Sequence, residues 1–333
     1  MTGTPNFTSD EAVHLANKLY GVQVTAKPLP SERDQNFALT TSSQDRYVLK
    51  IANSTEDREV LDFQNAALQH IALRDPVLSV SRVLRSIDKT DIGRIEDQAG
   101  RSHYVRLLTW VNGTMYVDVH PHDDPLLNSL GRALAKLDRA FADFHHPAMS
   151  RTLQWDLRHI SMALQHLPLL SGEQQAIVHG FRPLWESIDW GALPTAVIHG
   201  DANDYNVVVR GGEVVGFLDF GDMSHSARVC DLAIAMVYAM LDHPDPVTAA
   251  TRIGAAYHRE FPLQRAEVEA IFPFIVSRLS MSACFAAYNA KAKPHDAYQL
   301  VTAAPAWRLL RRLAAVPSAT VSSALRGALP LSR

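Results

Sequence analysis

The sequence predicts an α+β fold, with an N-terminal part made of antiparallel strands and a larger, mainly helical C-terminal part. Between Val22 and Leu108, short β-branched or alternating apolar segments are separated by polar turns, which is typical of antiparallel strands. From Leu126 onward, apolar residues recur every three or four positions, which is typical of helices packed on a core. A third observation, the strand, loop and hairpin pattern within Thr195 to Tyr238, supplies the candidate site.

The composition is that of a globular protein. The chain has 333 residues, of which 47% are hydrophobic, enough for two domains and a sizeable core. The net charge of -3 gives no basic surface for nucleic acid or an anionic membrane. The two cysteines, Cys230 and Cys284, lie in apolar helical patterns and are expected to be buried. Because no signal peptide or long apolar run is evident, we expect a cytoplasmic protein.

The N-terminal elements are predicted from local signals. Ser9 and Asp10 cap a helix that ends at Gly21, and another helix is expected from Thr55 to about His70. Strands are predicted at Val22–Lys27, Phe37–Thr41, Tyr47–Ile51, Val80–Ile87, Gly93–Asp97 and Ser102–Leu108. The pattern breaks at Val111–Asn112–Gly113, so we expect lobes at residues 1–111 and 112–316.

The C-terminal elements are predicted to be mainly helices. Helical segments are expected from Leu126 to Phe144 and at Leu232–Leu241, Tyr257–Phe261, Val268–Tyr288 and Ala297–Ala315. Pro317 and Pro330 lie among Ser and Thr residues, so residues 317–333 are predicted to be a loose tail or linker.

The candidate site follows a short buried strand, Ala196–Ile198. This strand leads into the loop triplet His199-Gly200-Asp201. Asn206 opens the next strand, Arg210-Gly211-Gly212-Glu213 forms a tight hairpin turn, and the return strand ends at Asp219. Because a hairpin brings its two ends together, we expect Asp201, Asn206 and Asp219 at one end of a small sheet.

These three side chains suit phosphoryl transfer, a reaction that depends mainly on positioning and charge neutralisation. Asn206 and Asp219 offer hard oxygen ligands for Mg²⁺, which is usually held by one or two protein groups plus phosphate oxygens. Asp201 then remains as a base. The spacing of Asp201 and Asn206, followed by Asp219-Phe220-Gly221, matches the known pattern of protein kinases, with His-Gly-Asp in place of His-Arg-Asp.

At these residues the chain resembles the aminoglycoside phosphotransferase and choline kinase-like family of small-molecule kinases. The resemblance extends from about Gln35 to Tyr288, and the stretch from Asp219 to Met236 is most similar to hydroxylysine kinases. It implies a protein kinase-like fold with the nucleotide between two lobes. It also implies that Asp201 is the catalytic base, that Asn206 and Asp219 are Mg²⁺ ligands, and that Asp231 is a structural anchor.

Lys50 is the candidate phosphate ligand of the N-terminal lobe. A lysine between apolar residues is either a snorkelling surface residue or a buried cation that needs a phosphate. The resemblance implies contact with the α- and β-phosphates of a nucleotide. In this fold a helical glutamate normally pairs with that lysine, and here we expect either Gln64 or Glu59 to contact Lys50.

Two further segments are expected to contact the nucleotide. The loop before the lysine strand contains no glycine, so its backbone amides, Ser31 and Arg33 would have to hold the phosphates. The adenine or guanine base is expected against the backbone of Leu108 to Trp110.

We therefore expect a kinase that transfers the γ-phosphoryl group of ATP or GTP to a hydroxyl of a small hydroxylated amine or amino acid. Asp222 either faces an acceptor ammonium or is a structural carboxylate, and Trp155 either lines the acceptor cleft or belongs to the core. Alternative acceptors are an aminoglycoside, homoserine, choline or ethanolamine. An alternative of another class is a catalytically silent nucleotide-binding module, which would have no chemical need for both metal ligands and a base.

Overall fold

The computed structural model describes residues 3–31, 33–292 and 303–331, and the predicted α+β class is confirmed. The chain forms two units. The first contains the residues up to Asn112 together with His146–Ala148, and the second contains Gly113–His145 and the residues from Met149 onward.

The first unit is built on an antiparallel sheet of six strands, in the order β1-β2-β3-β6-β4 with β5 also paired to β6. The strands are β1 (Thr25–Leu29), β2 (Gln35–Thr40), β3 (Arg46–Ile51), β4 (Val83–Leu84), β5 (Gly93–Glu96) and β6 (Ser102–Thr109). The strand predicted at Val80–Ile87 is therefore wrong in length. Its end turns away because the Ser86 N–H donates to the Thr90 carbonyl oxygen at 2.9 Å.

One face of this sheet forms a core with helix α1 (Ser9–Tyr20). Phe37, Leu49 and Leu107 are fully buried on that face. The N-cap of α1 is Thr8 rather than Ser9, and its side chain and that of Glu11 form a reciprocal capping box. Since side chains alternate along a strand, the opposite face carries the residues between these apolar ones, including Lys50.

The second unit is mainly helical. With α2 (Arg58–Arg74) in the first unit, the remaining described helices are α3 (Asp124–Phe141), α4 (Ile160–Leu164), α5 (Gly172–Glu186), α6 (Val229–Met240), α7 (Pro246–Glu260), α8 (Arg265–Ala292), α9 (Ala303–Ala314) and α10 (Ser318–Ala328). The predicted Tyr257–Phe261 helix is the end of the longer α7. The N-terminal part of the predicted helix Ala297–Ala315 lies outside the described residues.

Helix α8 is the central helix of this unit and packs against α6, α9 and α5. It is long and apolar enough to cross a membrane by length and composition, but 94% of its most apolar stretch is buried inside the protein. That burial is what a core helix of a globular unit requires. The free cysteines, Cys230 and Cys284, are both buried, as predicted.

Residues 317–333 are not the loose tail that the sequence predicted, as far as they are described. Helix α10 packs on α7 and α8, and Val321, Leu325 and Leu329 are buried. Their spacing of four residues places them on one side of a helix, which outweighs the Pro and Ser content of the segment.

Candidate active site

The hairpin predicted around Gly211 and Gly212 organises the site. Five short strands lie in the second unit: β7 (Thr114–Met115), β8 (Thr195–Ile198), β9 (Val207–Arg210), β10 (Glu213–Phe217) and β11 (Ser224–Ala227). Strands β9 and β10 pair antiparallel, and both turn glycines have positive φ, 63° and 81°, as a two-residue hairpin turn requires. At the open end, the Leu218 N–H donates to the Asn206 carbonyl oxygen at 2.8 Å. Asn206 and Asp219 therefore lie at the same end of the hairpin.

The His199-Gly200-Asp201 loop follows β8 and is fixed by buried partners. The Asp231 carboxylate, on α6, accepts hydrogen bonds from the N–H groups of His199 at 2.6 Å and Gly200 at 2.7 Å. The His199 ring receives the Asp201 N–H at 3.2 Å and contacts the Leu218 carbonyl oxygen at 2.9 Å. These contacts tie the loop to the end of β10 and confirm the anchoring role predicted for Asp231.

Both carboxylate oxygens of Asp201 accept hydrogen bonds. Oδ2 receives Nδ2 of Asn203 at 2.8 Å and Nδ2 of Asn206 at 3.0 Å. Oδ1 receives Nη2 of Arg278 at 2.7 Å, so that the carboxylate is an ion-pair partner as well. The side chain of Asp201 is 21% exposed, which leaves it accessible to a small molecule.

The residues at the open end of the hairpin fit a magnesium ion. Asn206 donates through Nδ2 to the backbone and side chain of Asp201, which leaves its side-chain oxygen as the atom to bind a cation. Asp219 has a left-handed backbone, φ 54°, a conformation that is uncommon outside glycine and often found at functional sites. One amide oxygen and one carboxylate are the small protein ligand set that Mg²⁺ uses together with phosphate oxygens.

Asp222 lies on the other side of the same loop. Gly200 has φ 78°, and a Cβ there would collide with the Asp222 carbonyl oxygen. The pKa of the Asp222 carboxyl is raised to about 7, mainly by burial and also by the Asp201 and Asp219 carboxylates, while Arg278 and Arg151 oppose the rise. Both roles predicted for Asp222, a contact with an acceptor ammonium and a structural carboxylate, stay predictions.

Trp155 lies next to this loop. Its ring packs edge-on against Phe285, with centroids 4.6 Å apart, and the Arg278 guanidinium lies 4.5 Å from its centroid. Trp155, Gly200 and Asp222 line a small common cavity. The ring packs on a core residue and also borders Asp222, and its role in an acceptor cleft stays a prediction.

In the first unit, Lys50 lies in the middle of three adjacent strands. Its cross-strand neighbours are Asn36 on β2 and Arg106 on β6. The predicted contact between Lys50 and either Gln64 or Glu59 stays a prediction. Oε1 of Gln64 accepts a hydrogen bond from Nη2 of Arg106 at 2.7 Å, and Glu59 is exposed on the first turn of α2. The buried Arg106 therefore joins helix α2 to the sheet.

The other predicted nucleotide contacts also lie in the first unit. Ser31 is exposed before β2, and Leu108 is buried in β6 between β3 and β4. The Thr109 and Trp110 N–H groups donate to the Arg82 and Arg46 carbonyl oxygens at 2.8 and 3.2 Å. These two backbone donors are already satisfied, so a base at this segment would have to use other groups. The Arg46 guanidinium lies 3.6 Å from the Trp110 ring centroid.

Comparison with known proteins identifies the family of this chain. The sequence profile of the phosphotransferase enzyme family matches residues 25–269, most of the chain. The chain belongs to this family. It is therefore a phosphotransferase that acts on a hydroxyl group, as the sequence predicted.

Three similar proteins illustrate the range of this phosphotransferase family. Hydroxylysine kinase of Mus musculus is 31% identical over 93% of this chain and 90% of its own. The solved structure of a microcompartment-associated aminopropanol kinase has a TM-score of 0.73 and 17% identity, covering 92% of this chain and 98% of that chain. The structure of amicoumacin kinase with AMP-PNP, Ca²⁺ and its ligand has a TM-score of 0.69 and 16% identity, covering 92% and 93%. At these identities the two structures show a shared fold.

The sequence did not identify Arg278 as a site residue of this phosphotransferase. It lies on α8, and its link to Asp201 spans 77 positions of the chain. One signal was present, because Arg278 is the only charged residue between Glu269 and Lys291. A single charge inside a long buried apolar helix generally marks a functional or structural ion pair.

Proposed function

We propose that this phosphotransferase transfers the γ-phosphoryl group of ATP or GTP to the hydroxyl of a small hydroxylated amine or amino acid resembling hydroxylysine. The observation that carries the proposal is the arrangement of Asp201, Asn206 and Asp219 at the open end of one hairpin. The similarity to hydroxylysine kinase over most of both chains supports this acceptor class.

In the proposed mechanism Asp201 orients the acceptor hydroxyl and accepts its proton as the phosphoryl group is transferred. Hydrogen bonds on both oxygens hold the carboxylate in one orientation, which supports this role because positioning supplies much of the acceleration in phosphoryl transfer. Lys50 is assigned to the nucleotide phosphates, as the family resemblance implies.

Asn206 and Asp219 would hold Mg²⁺. The ion would supply charge neutralisation at the phosphate oxygens. The side-chain oxygen of Asn206 and the carboxylate of Asp219 suit this ion by chemistry, and their neighbouring positions support a shared ligand.

Asp222 is assigned to an ammonium group of the acceptor. Its pKa, raised mainly by burial to about 7, means that the carboxyl is close to half ionised at neutral pH. A cation placed beside it would favour the ionised form and gain an ion pair. A free amine on the acceptor therefore fits this position better than a neutral group, and cytoplasmic amino compounds are the acceptors to examine first.

The test is a coupled assay of nucleoside diphosphate release over hydroxylated amines, hydroxy amino acids, aminoglycosides and simple alcohols, with ATP and GTP each as donor. We expect the best turnover with a hydroxylated amine or amino acid and a requirement for Mg²⁺. Equal turnover of a neutral alcohol without an amine would refute the acceptor class. Thermal stabilisation by nucleotide with no turnover on the whole panel would favour a silent binding module.

Asp201→Asn supplies the control for this assay. The amide keeps the size of the side chain but is a far weaker base, so we expect turnover to fall by about 10²- to 10⁴-fold while nucleotide KM changes little. Steady-state kinetics and a melting curve measure both quantities. Turnover close to that of the wild type would remove Asp201 from the role of base.

A further inference from the structure

Arg278 has more hydrogen-bond donors than its neighbours use. The side chain is 2% exposed, and Nη2 donates to Oδ1 of Asp201 at 2.7 Å and to the Tyr238 hydroxyl at 3.1 Å. Nε and Nη1 are fully buried and have no hydrogen-bond partner among the described residues. Since a guanidinium carries five N–H donors, three of them remain for another group.

Such an arrangement is costly for the folded protein alone. A buried donor without a partner costs free energy, and a charged donor costs more than a neutral one. An apolar side chain at this position of α8 would avoid that cost, because the neighbouring residues Phe274, Ile275 and Leu279 are fully buried. The guanidinium therefore points to a ligand that supplies oxygen acceptors.

The position of Arg278 relative to Asp201 indicates that the ligand is the acceptor. Oδ2 of Asp201 faces Asn203 and Asn206, the side of the metal ligands, whereas Oδ1 faces Arg278. An acceptor whose hydroxyl reaches Asp201 must place the rest of its structure away from the metal and the transferred phosphoryl group. Arg278 and Trp155, which are in contact, lie on that side of the base.

Resting on the proposed function, we infer that Arg278 binds a carboxylate of the acceptor through Nη1, so that the acceptor is a hydroxy amino acid rather than an amino alcohol. A charged guanidinium N–H makes a short, strong hydrogen bond to a carboxylate oxygen. With Asp222 at the ammonium group, the two residues recognise both charges of a zwitterion. Nη1 is buried in this structure, and the Trp155 ring centroid lies 4.5 Å from the guanidinium, so entry of the carboxylate requires the half-buried Trp155 side chain to shift.

Three acceptors that differ at one position test this inference: hydroxylysine, its α-carboxamide, and the diamino alcohol that lacks the carboxyl group. We expect wild-type enzyme to prefer the acid in kcat/KM by roughly 30-fold or more, the effect of losing one partner of a buried charge pair. Similar kcat/KM for all three would overturn the carboxylate inference while leaving the proposed function intact. Turnover of none of the three, with turnover of another class of alcohol, would refute the proposed function as well.

Variants separate recognition of the carboxylate from the contact with Asp201. In Arg278→Gln we expect the ratio of kcat/KM for acid and amide to fall close to one, with nucleotide KM unchanged. If Arg278 served only to hold Asp201, both acceptors would lose activity by the same factor and the ratio would stay at its wild-type value, which would contradict the inference. Arg278→Lys keeps the charge but not the planar guanidinium, so it should keep part of the preference, and it decides the question if Arg278→Gln does not fold.

Arg228→Gln is the matched control. Arg228 is another largely buried arginine of the same unit, 13% exposed, and it pairs with Glu267 at 2.6 Å. Loss of that pair should lower the melting temperature and leave the ratio between acid and amide at the wild-type value. A changed ratio in this variant would show that the ratio follows stability, and would overturn the assignment to Arg278.

Discussion

Asn206 and Asp219 differ in what they contribute to the proposed metal site. Asn206 is neutral and already donates to Asp201 through Nδ2, so it links the base to the metal ligands. Asp219 is charged, and its left-handed backbone, φ 54°, turns the chain at the end of β10. The charged ligand should contribute most of the affinity for the ion, because few protein groups are available to hold it.

Asp219→Ala should therefore weaken Mg²⁺-dependent nucleotide binding itself, unlike Asp201→Asn, which should act on turnover. Calorimetric titration of Mg²⁺ and nucleotide into both variants and into the wild type measures this. We expect a loss of at least about tenfold in affinity for Asp219→Ala, the size of one charge-assisted contact. An unchanged titration would remove Asp219 from the metal site.

At the scale of elements, the base loop is held by a chain of buried carboxyl groups between helices. Asp231 on α6 accepts two N–H groups of the loop, and Asp138 on α3 accepts the Tyr257 hydroxyl of α7 at 2.6 Å. Burial raises the pKa of Asp138 well above its usual value, and the charge of Asp231 raises it further. Asp231 already accepts two backbone donors, so Asp138 carries the proton of this pair.

The proton on Asp138 predicts a particular dependence of stability on pH. The folded state holds this proton at pH values where the unfolded carboxyl, with a pKa of about 4, has lost it. The contribution of the Asp138 carboxyl to the free energy of unfolding is thus fully present below about pH 4. It decreases as pH rises towards the pKa of the folded state, by at most about 1.4 kcal/mol per pH unit.

Asp138→Asn has no such proton but can still donate to Asp231 and accept from Tyr257. Its free energy of unfolding relative to wild type should therefore rise with pH, as measured by urea denaturation between about pH 5 and pH 8. Tyr257→Phe, which removes one hydrogen bond but keeps the titrating carboxyl, should retain the wild-type slope. Parallel curves for wild type and Asp138→Asn would contradict the assignment of the proton.

Gly200 and Gly211 allow the effect of a left-handed backbone on stability to be distinguished from the effect of close packing. Gly200 and Gly211 both have positive φ, 78° and 63°, but only at Gly200 would a Cβ collide with a neighbour, the Asp222 carbonyl oxygen; at Gly211 nothing lies within 4 Å. Alanine at either position should cost about 1–2 kcal/mol for the left-handed backbone. Gly200→Ala should cost more and should also lower kcat, because the loop that carries Asp201 must move.

Denaturation and steady-state kinetics on the two alanine variants measure this difference. Equal stability losses with equal kcat would show that the contact between Gly200 and Asp222 has no role in holding the base.

The hairpin and the base loop could be predicted from the sequence because their determinants are local. Two glycines between β-branched segments specify the turn, and the turn then brings Asn206 and Asp219 together. The partner of Gln64 could not be predicted in the same way, because it depends on the register between β3 and β6 that places Arg106 beside Lys50. Arg278 was missed for the same reason, since only the packing of α8 against the base loop brings it to Asp201.

At the scale of the whole molecule, the C-terminal segment is part of the core of the second unit. Helix α9 packs on α8 through the buried Leu309, Leu310 and Leu313, and α10 packs on α7 and α8. Pro317 is the N-cap residue of α10, so the residue that suggested a linker instead lies directly before the first turn of a helix. The Pro and Ser content of this segment is typical of a flexible linker, whereas the four-residue spacing of its apolar residues is typical of a helix. The structure follows the spacing.

Leu325→Ala should therefore destabilise the protein by about 2–5 kcal/mol, the usual cost of truncating a fully buried leucine. Arg326→Ala, one position along the same helix and exposed, should change stability by less than about 0.5 kcal/mol. Because α10 packs on α7 and α8, and α8 carries Arg278, the Leu325→Ala variant should also unfold the acceptor side of the site at a lower temperature. Urea denaturation of both variants, with kcat measured well below the melting temperature, checks this. Equal stability for the two variants would mean that the segment behaves in solution as the loose tail that its composition suggested.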